Sequence, residues 1–128
     1  LDANSAWMIM RSMETMALRM RAAGDNAARV AGYLAKHPRV SDVNFLGLLP
    51  HNDPRTPVFR RQCASAGSTF ALSLSLTEAL RSPPASTTHS GVPKATRDRY
   101  GITDAMVRIS VGIEHPDDLI ADLAQALG

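Results

Sequence analysis

The groups best placed to do chemistry stand in GITDAMVRISVGIEHPDDL, residues 101–119. There Val107, Ile109, Val111 and Ile113 alternate with Arg108, Ser110 and Gly112. In a strand, successive side chains point to opposite faces, so the four apolar residues enter one core and Arg108 lies on the other side. A guanidinium beside a hydroxyl and a bare glycine backbone suits a small carboxylate, which can come close and accept a bidentate pair. The competing reading of Arg108 is a surface ion pair, which spacing alone leaves open.

Other reactive side chains offer less. The four histidines, His37, His51, His89 and His115, show no metal-ligand spacing, and no metal site is expected. Cys63 is the single cysteine, which excludes an internal disulfide and fits a reducing compartment. It follows Arg61 and Gln62 on an expected helix, where a buried, inert thiol is the reading. The net charge is +2, and the basic residues are scattered among acids rather than striped with aromatics, so nucleic-acid binding has little support. The methionine-rich residues 6–20 are interrupted by Arg11, Glu14 and Arg19, and the apolar run is too short to span a bilayer. The chain starts at Leu1, which reads as a fragment or a processed product.

The elements that must position these groups follow from periodicity. With 45% hydrophobic and 20% charged residues, the 128-residue chain has the composition of one globular domain. Residues 5–36 read as a long helix, or two in series, with Met13, Met16, Ala17, Met20, Ala23, Ala27, Val30, Ala31 and Leu34 on one buried stripe. The methionines are expected as adaptable core packing. Asn4 or Ser5 is the expected cap, Gly24 marks a bend or a close helix contact, and Pro38 stops the run. A short strand follows from Val40 to Phe45, then a proline-rich loop, and a helix from Val58 to Ala66 ended by Gly67. Phe70, Leu72, Leu74 and Leu76 alternate as in a half-buried strand. Residues 81–93 are loop chemistry, a short helix covers Lys94 to Tyr100, and the Arg108 strand comes next. Pro116 opens a last helix, with Asp117 and Asp118 near its positive end and Leu119, Ile120, Leu123 and Leu127 on its buried stripe. The expected architecture is α+β: a small, largely antiparallel sheet with helices on one face. The uncovered face then carries Arg108 and is a place to meet another domain.

Several segments in order resemble the C-terminal domain of the trans-sulfuration enzymes, the pyridoxal-phosphate-dependent, fold-type I family of cystathionine γ-synthase, cystathionine γ-lyase and methionine γ-lyase. They are LDANSAWMIMRSMETMALRM (1–20), NAARVAGYLAKHPRVSDVNFLGL (26–48), RRQCASAGSTFAL (60–72), PASTTHSGVP (84–93) and GITDAMVRISVGIEHPDDLIADLAQAL (101–127). The resemblance implies an enzyme of sulfur amino-acid metabolism, a lyase or transferase that replaces or eliminates a γ-substituent, with pyridoxal phosphate as electron sink. It implies an amino-acid substrate such as cystathionine, methionine or an activated homoserine. A cytoplasmic homotetramer is implied as well. The family's carboxylate-binding arginine falls in the motif that reads VRISVGIE here, so the role transfers to Arg108. Thr88 matches a substrate-proximal position, and His89 beside it reads as structural.

Two departures accompany the match. The large cofactor domain is absent, and with it the lysine that holds the cofactor, so residues 1–128 read as the C-terminal domain alone. The only lysines, Lys36 and Lys94, match no catalytic motif and read as solvated. The join between GSTFAL and PPASTTH is also short, and the domain reads as incomplete near 71–77. The family carries there a further stretch of about twenty residues, roughly one helix plus strand ends. The run from Phe70 to Leu76 then reads as two segments side by side, with Ser75 as the family's substrate-proximal serine; a serine on a strand's polar face is the competing reading. A non-catalytic binding domain that reuses this scaffold is the alternative function.

Overall fold

The computed structural model describes residues 1–75, 91–103 and 105–128. Its elements are α1 (Ala3–Met13), α2 (Met16–Leu34), β1 (Val40–Asn44), α3 (Arg55–Gln62), β2 (Thr69–Leu74), α4 (Lys94–Arg99), β3 (Met106–Ser110) and α5 (Pro116–Leu127), with a 3-10 turn at Leu46–Leu48. None of the helices among the described residues is long and apolar enough to cross a membrane.

The N-terminal helical run is two helices, and the break comes at Glu14 and Thr15 rather than at Gly24. No glycine or proline causes it. Ser12 Oγ donates back to Met8 O at 2.8 Å, a bond that bends helices. Arg19 then donates to Ser12 O at 2.8 Å and to Thr15 Oγ1 at 3.2 Å, so a side chain of α2 satisfies a carbonyl that the helix end leaves open. The cap of α1 is Asp2, one turn before Ser5, whose backbone N–H (3.0 Å) and hydroxyl (2.6 Å) both donate to it. Those bonds, the hydroxyl's first, hold the Asp2 carboxyl below its usual range.

Only the C-terminal half of the expected stripe is buried: Ala23, Ala27, Val30, Ala31 and Leu34. The methionines are not core, since Met13, Met16 and Met20 remain 56%, 47% and 51% exposed. A helical period fixes which residues share a face, whereas burial also needs a layer to cover that face. Three short strands reach the later turns of α2 and leave the earlier ones open. Gly24 is not required by a close approach either, because a Cβ there would stand 3.7 Å from Gly67 O, an ordinary van der Waals distance.

The sheet is antiparallel, in the order β1-β2-β3. Val43, Leu72 and Val107 form one cross-strand row, Phe70 faces Ile109, and Val40 faces Leu74. These residues meet α2 and the half-buried Leu119, Ile120, Leu123 and Leu127 of α5, which realises the expected α+β layers. Phe45 packs edge-on against Phe70 at 5.7 Å between ring centroids. Ser41 is the extra residue of a bulge in β1, and its hydroxyl donates to Ser73 O at 3.0 Å.

Four points differ from expectation, the first being that α3 starts at Arg55, inside the expected proline-rich loop, rather than at Val58. Helix α3 ends at Gln62, so Cys63 is an exposed, extended residue and not a buried helical thiol. Gly67, with φ of +76°, turns the following loop into β2 instead of ending that helix. Ile113 is 62% exposed rather than core. Pairing between β2 and β3 stops at Thr69 opposite Ser110, and the last cross-link is Val111 N–H to Ser68 O at 2.8 Å, so the alternation runs past the sheet that would bury it.

Candidate functional site

The outer sheet face is built from the residues between the core rows. Asn44, Ala71 and Arg108 form one cross-strand row, Asp42, Ser73 and Met106 the next, and Thr69 sits opposite Ser110. Arg108 is thus central to β3, with only the methyl of Ala71 directly across from it. It is exposed, and among the described residues it has no hydrogen-bond or ion-pair partner, which removes the support for a surface ion pair. Beside it the hydroxyls of Ser110 and Thr69 lie 3.2 Å apart.

A second arginine provides a contrast. Arg55 donates Nε to Asp53 Oδ1 at 3.0 Å and Nη2 to Asp53 Oδ2 at 2.8 Å, the bidentate fork, and reaches Asn44 Oδ1 at 3.4 Å. The Arg55 side-chain bonds, helped by its backbone N–H, hold the Asp53 carboxyl down at about 2. The fork of Arg55 is filled from within the chain, and that of Arg108 meets no carboxylate among the described residues. The cleft at the exit of β3, about 230 Å³ between α2, β3 and α5, does not suit an anion, because Glu114 and Asp122 line it. An incoming carboxylate is better accommodated on the open face.

The other expected substrate residues are not gathered around Arg108. Ser75 follows β2 directly, is exposed, and donates its N–H to Arg39 O at 2.8 Å. It lies four residues beyond Ala71, about 13 Å along the strand from the Arg108 row. Thr88 and His89 lie outside the described residues. Both lysines are exposed, Lys36 just past the end of α2 and Lys94 opening α4. Among the described residues neither is enclosed as the holder of a covalently bound cofactor would be, Lys36 lining only an open cleft with Tyr33 and His37.

Sequence reasoning missed Asn26. Its side-chain amide, half-buried on α2, donates to Gly112 O at 3.2 Å and to Glu114 O at 2.7 Å. The available signal was a poor helix former placed beside the buried alanine stripe. Its partners, 86 and 88 residues away, carry no local signature.

The model of a protein family described as "Cys/Met metabolism PLP-dependent enzyme" matches residues 1–75 and 65–128. Cystathionine beta-lyase MetC of Bacillus subtilis is 34% identical over 149 residues, covering 99% of this chain and 38% of that protein. The L-methionine gamma-lyase of Fusobacterium nucleatum subsp. polymorphum is 35% identical over 150 residues, with coverages of 99% and 38%. The crystal structure of cystathionine gamma-lyase from Lactobacillus plantarum, complexed with L-serine, superposes with a TM-score of 0.82 at 31% identity, over 98% of this chain and 38% of that one. The chain therefore spans a little over a third of the length of the relatives it matches.

Proposed function

The chain belongs to the Cys/Met-metabolism PLP-dependent enzyme family, and on that premise we propose that it is the C-terminal domain of a sulfur amino-acid lyase whose Arg108 binds the substrate carboxylate. The observation that carries this reading is the guanidinium of Arg108 on the outer sheet face, unpartnered among the described residues, while Arg55 is already neutralised by Asp53. In this reading the outer face of the sheet closes against the remainder of the protein, which holds the cofactor that accepts electrons from the substrate's α-carbon. Arg108 fixes one end of the substrate by two parallel hydrogen bonds and so orients the α-carbon for loss of its proton. The resemblance gives Thr88 and Ser75 as further substrate-proximal residues, of which Ser75 stands about 13 Å along the strand from the Arg108 row. The substrate is an amino acid of the cystathionine or methionine type, and the reaction eliminates or replaces its sulfur-bearing substituent.

Two features support incompleteness of the domain near 71–77. An alignment of 149 positions takes in 99% of a chain of 128 residues, and the family model matches in two pieces that overlap at residues 65–75. The relatives thus carry residues that this chain lacks. Strand β2 itself is continuous from Thr69 to Leu74, and Leu76 lies outside the described residues.

The test is keto-acid release from L-cystathionine and L-methionine by the full-length protein carrying this chain, beside the 128-residue chain alone. Turnover by the first and none by the second supports the assignment. A full-length protein that binds pyridoxal phosphate but turns over neither amino acid would favour a binding domain that reuses the scaffold.

A further inference from the structure

We infer that Asn26 is a positioning residue for Arg108, holding the exit of β3 against α2 so that the guanidinium keeps its place on the sheet face. The inference rests on the carboxylate-binding reading of Arg108. Strand β3 is paired along one edge to β2, and after Ser110 that pairing ends. The next residues must hold the strand's end while the chain turns into α5. Val111 does so twice, through its N–H to Ser68 O at 2.8 Å and through its side chain, buried in the core with Val30 and Phe70. Beyond it stands Gly112, which has no side chain to lock by packing and whose backbone is the freest in the segment. Both N–H groups of one amide close this gap, Asn26 Nδ2 reaching Gly112 O at 3.2 Å and Glu114 O at 2.7 Å.

A second tie joins the same elements, Arg29 to Asp117 at 2.5 Å, but its side chains are 53% and 63% exposed. Solvent-screened pairs of that kind contribute little. The half-buried amide is the stronger constraint, because removing it leaves the part-buried Gly112 carbonyl without the partner it has in the fold, whereas water can take its place at the exposed Glu114 carbonyl. Gly112 lies four residues from Arg108 and two beyond the end of β3 at Ser110, so a shift or a twist at the exit reaches Arg108 through Val111 and the last pair of the strand. A bidentate pair tolerates about 0.5 Å of misplacement, and loss of the clamp should therefore be read in substrate affinity.

The experiment uses the full-length enzyme with L-cystathionine, comparing wild type, Asn26→Ala, Asn26→Gln, Arg108→Ala and the double variants. Asn26→Ala should raise KM about fivefold while kcat changes less than about twofold, and the cofactor's absorption spectrum should stay unchanged. Asn26→Gln keeps both donors on a longer arm and should recover part of the affinity. In the Arg108→Ala background the same Asn26 substitutions should leave KM unaltered, since the group they position is gone. Should Asn26→Ala fail to fold, Asn26→Gln in the two backgrounds makes the same comparison. Equal fold-changes with and without Arg108 would overturn the inference and leave Asn26 a structural residue only. An Arg108→Ala enzyme with unchanged KM would instead overturn the carboxylate reading on which it rests.

Discussion

Replacing Leu72 by alanine tests whether the covered sheet face is the core that places Arg108 on the other side. Leu72 is 4% exposed, on the central strand, with Val43 and Val107 directly across on its two neighbours. The substitution removes three carbons, worth about 2.4 kcal/mol at about 0.8 kcal/mol per buried methylene. Flanked on both sides by paired strands, the site can collapse only in part, so a cavity term brings the expected loss to about 3–4 kcal/mol. For a chain of this size that corresponds to roughly 10–15 °C in Tm. Urea unfolding of the 128-residue chain, followed by circular dichroism, should show a lower midpoint with an unchanged slope. Ile113→Ala is the matched control: alternation alone would bury Ile113 as deeply, whereas it is 62% exposed and should cost less than about 0.5 kcal/mol. A loss below about 1 kcal/mol at Leu72, or equal losses at both positions, would refute the assignment of faces.

Asp53 is held at about 2, below its ordinary 3.8, so its pairing with Arg55 stabilises the fold above pH 3.8 and that contribution fades as the pH falls through about 2. Asp53→Asn should accordingly lower the melting temperature at pH 6 and converge with the parent below pH 2, and parallel melting curves across that range would contradict it. Cys63 is exposed just past α3, so a thiol reagent should modify it in the native chain without denaturant; protection until unfolding would restore the buried-thiol expectation.

Much of the site's placement was legible because strand parity is a two-fold alternation with few competitors. Arg108 between Val107 and Ile109 could point only away from the core, and the sheet bears this out. Helix α5 was equally readable, since Pro116 at its first turn and two aspartates after it are local signals. What failed was everything that depends on how far a neighbouring layer extends. The methionine stripe has the right period, yet no described strand reaches Met13 or Met16, and Ile113 continues an alternation whose partner strand has already ended. The break between α1 and α2 lacks glycine and proline and rests on bonds among Ser12, Thr15 and Arg19. Asn26 lies furthest from legibility, because its bonds close over 86 and 88 residues and no spacing rule connects them.

The central claim is that Arg108 supplies the carboxylate fork of a sulfur amino-acid lyase. Steady-state kinetics of Arg108→Lys and Arg108→Ala in the full-length enzyme, read beside the cofactor's absorption spectrum, test it most directly. Lysine keeps the charge but loses the planar pair of donors, so kcat/KM should fall at least about tenfold, which is about 1.4 kcal/mol. Alanine should cost more, within the range of about 2–4 kcal/mol expected for a charge-assisted bidentate pair, and both variants should keep the wild-type spectrum. Unchanged kinetics would make Arg108 a surface arginine, and loss of the spectrum together with activity would make it a folding residue. Either result contradicts the account.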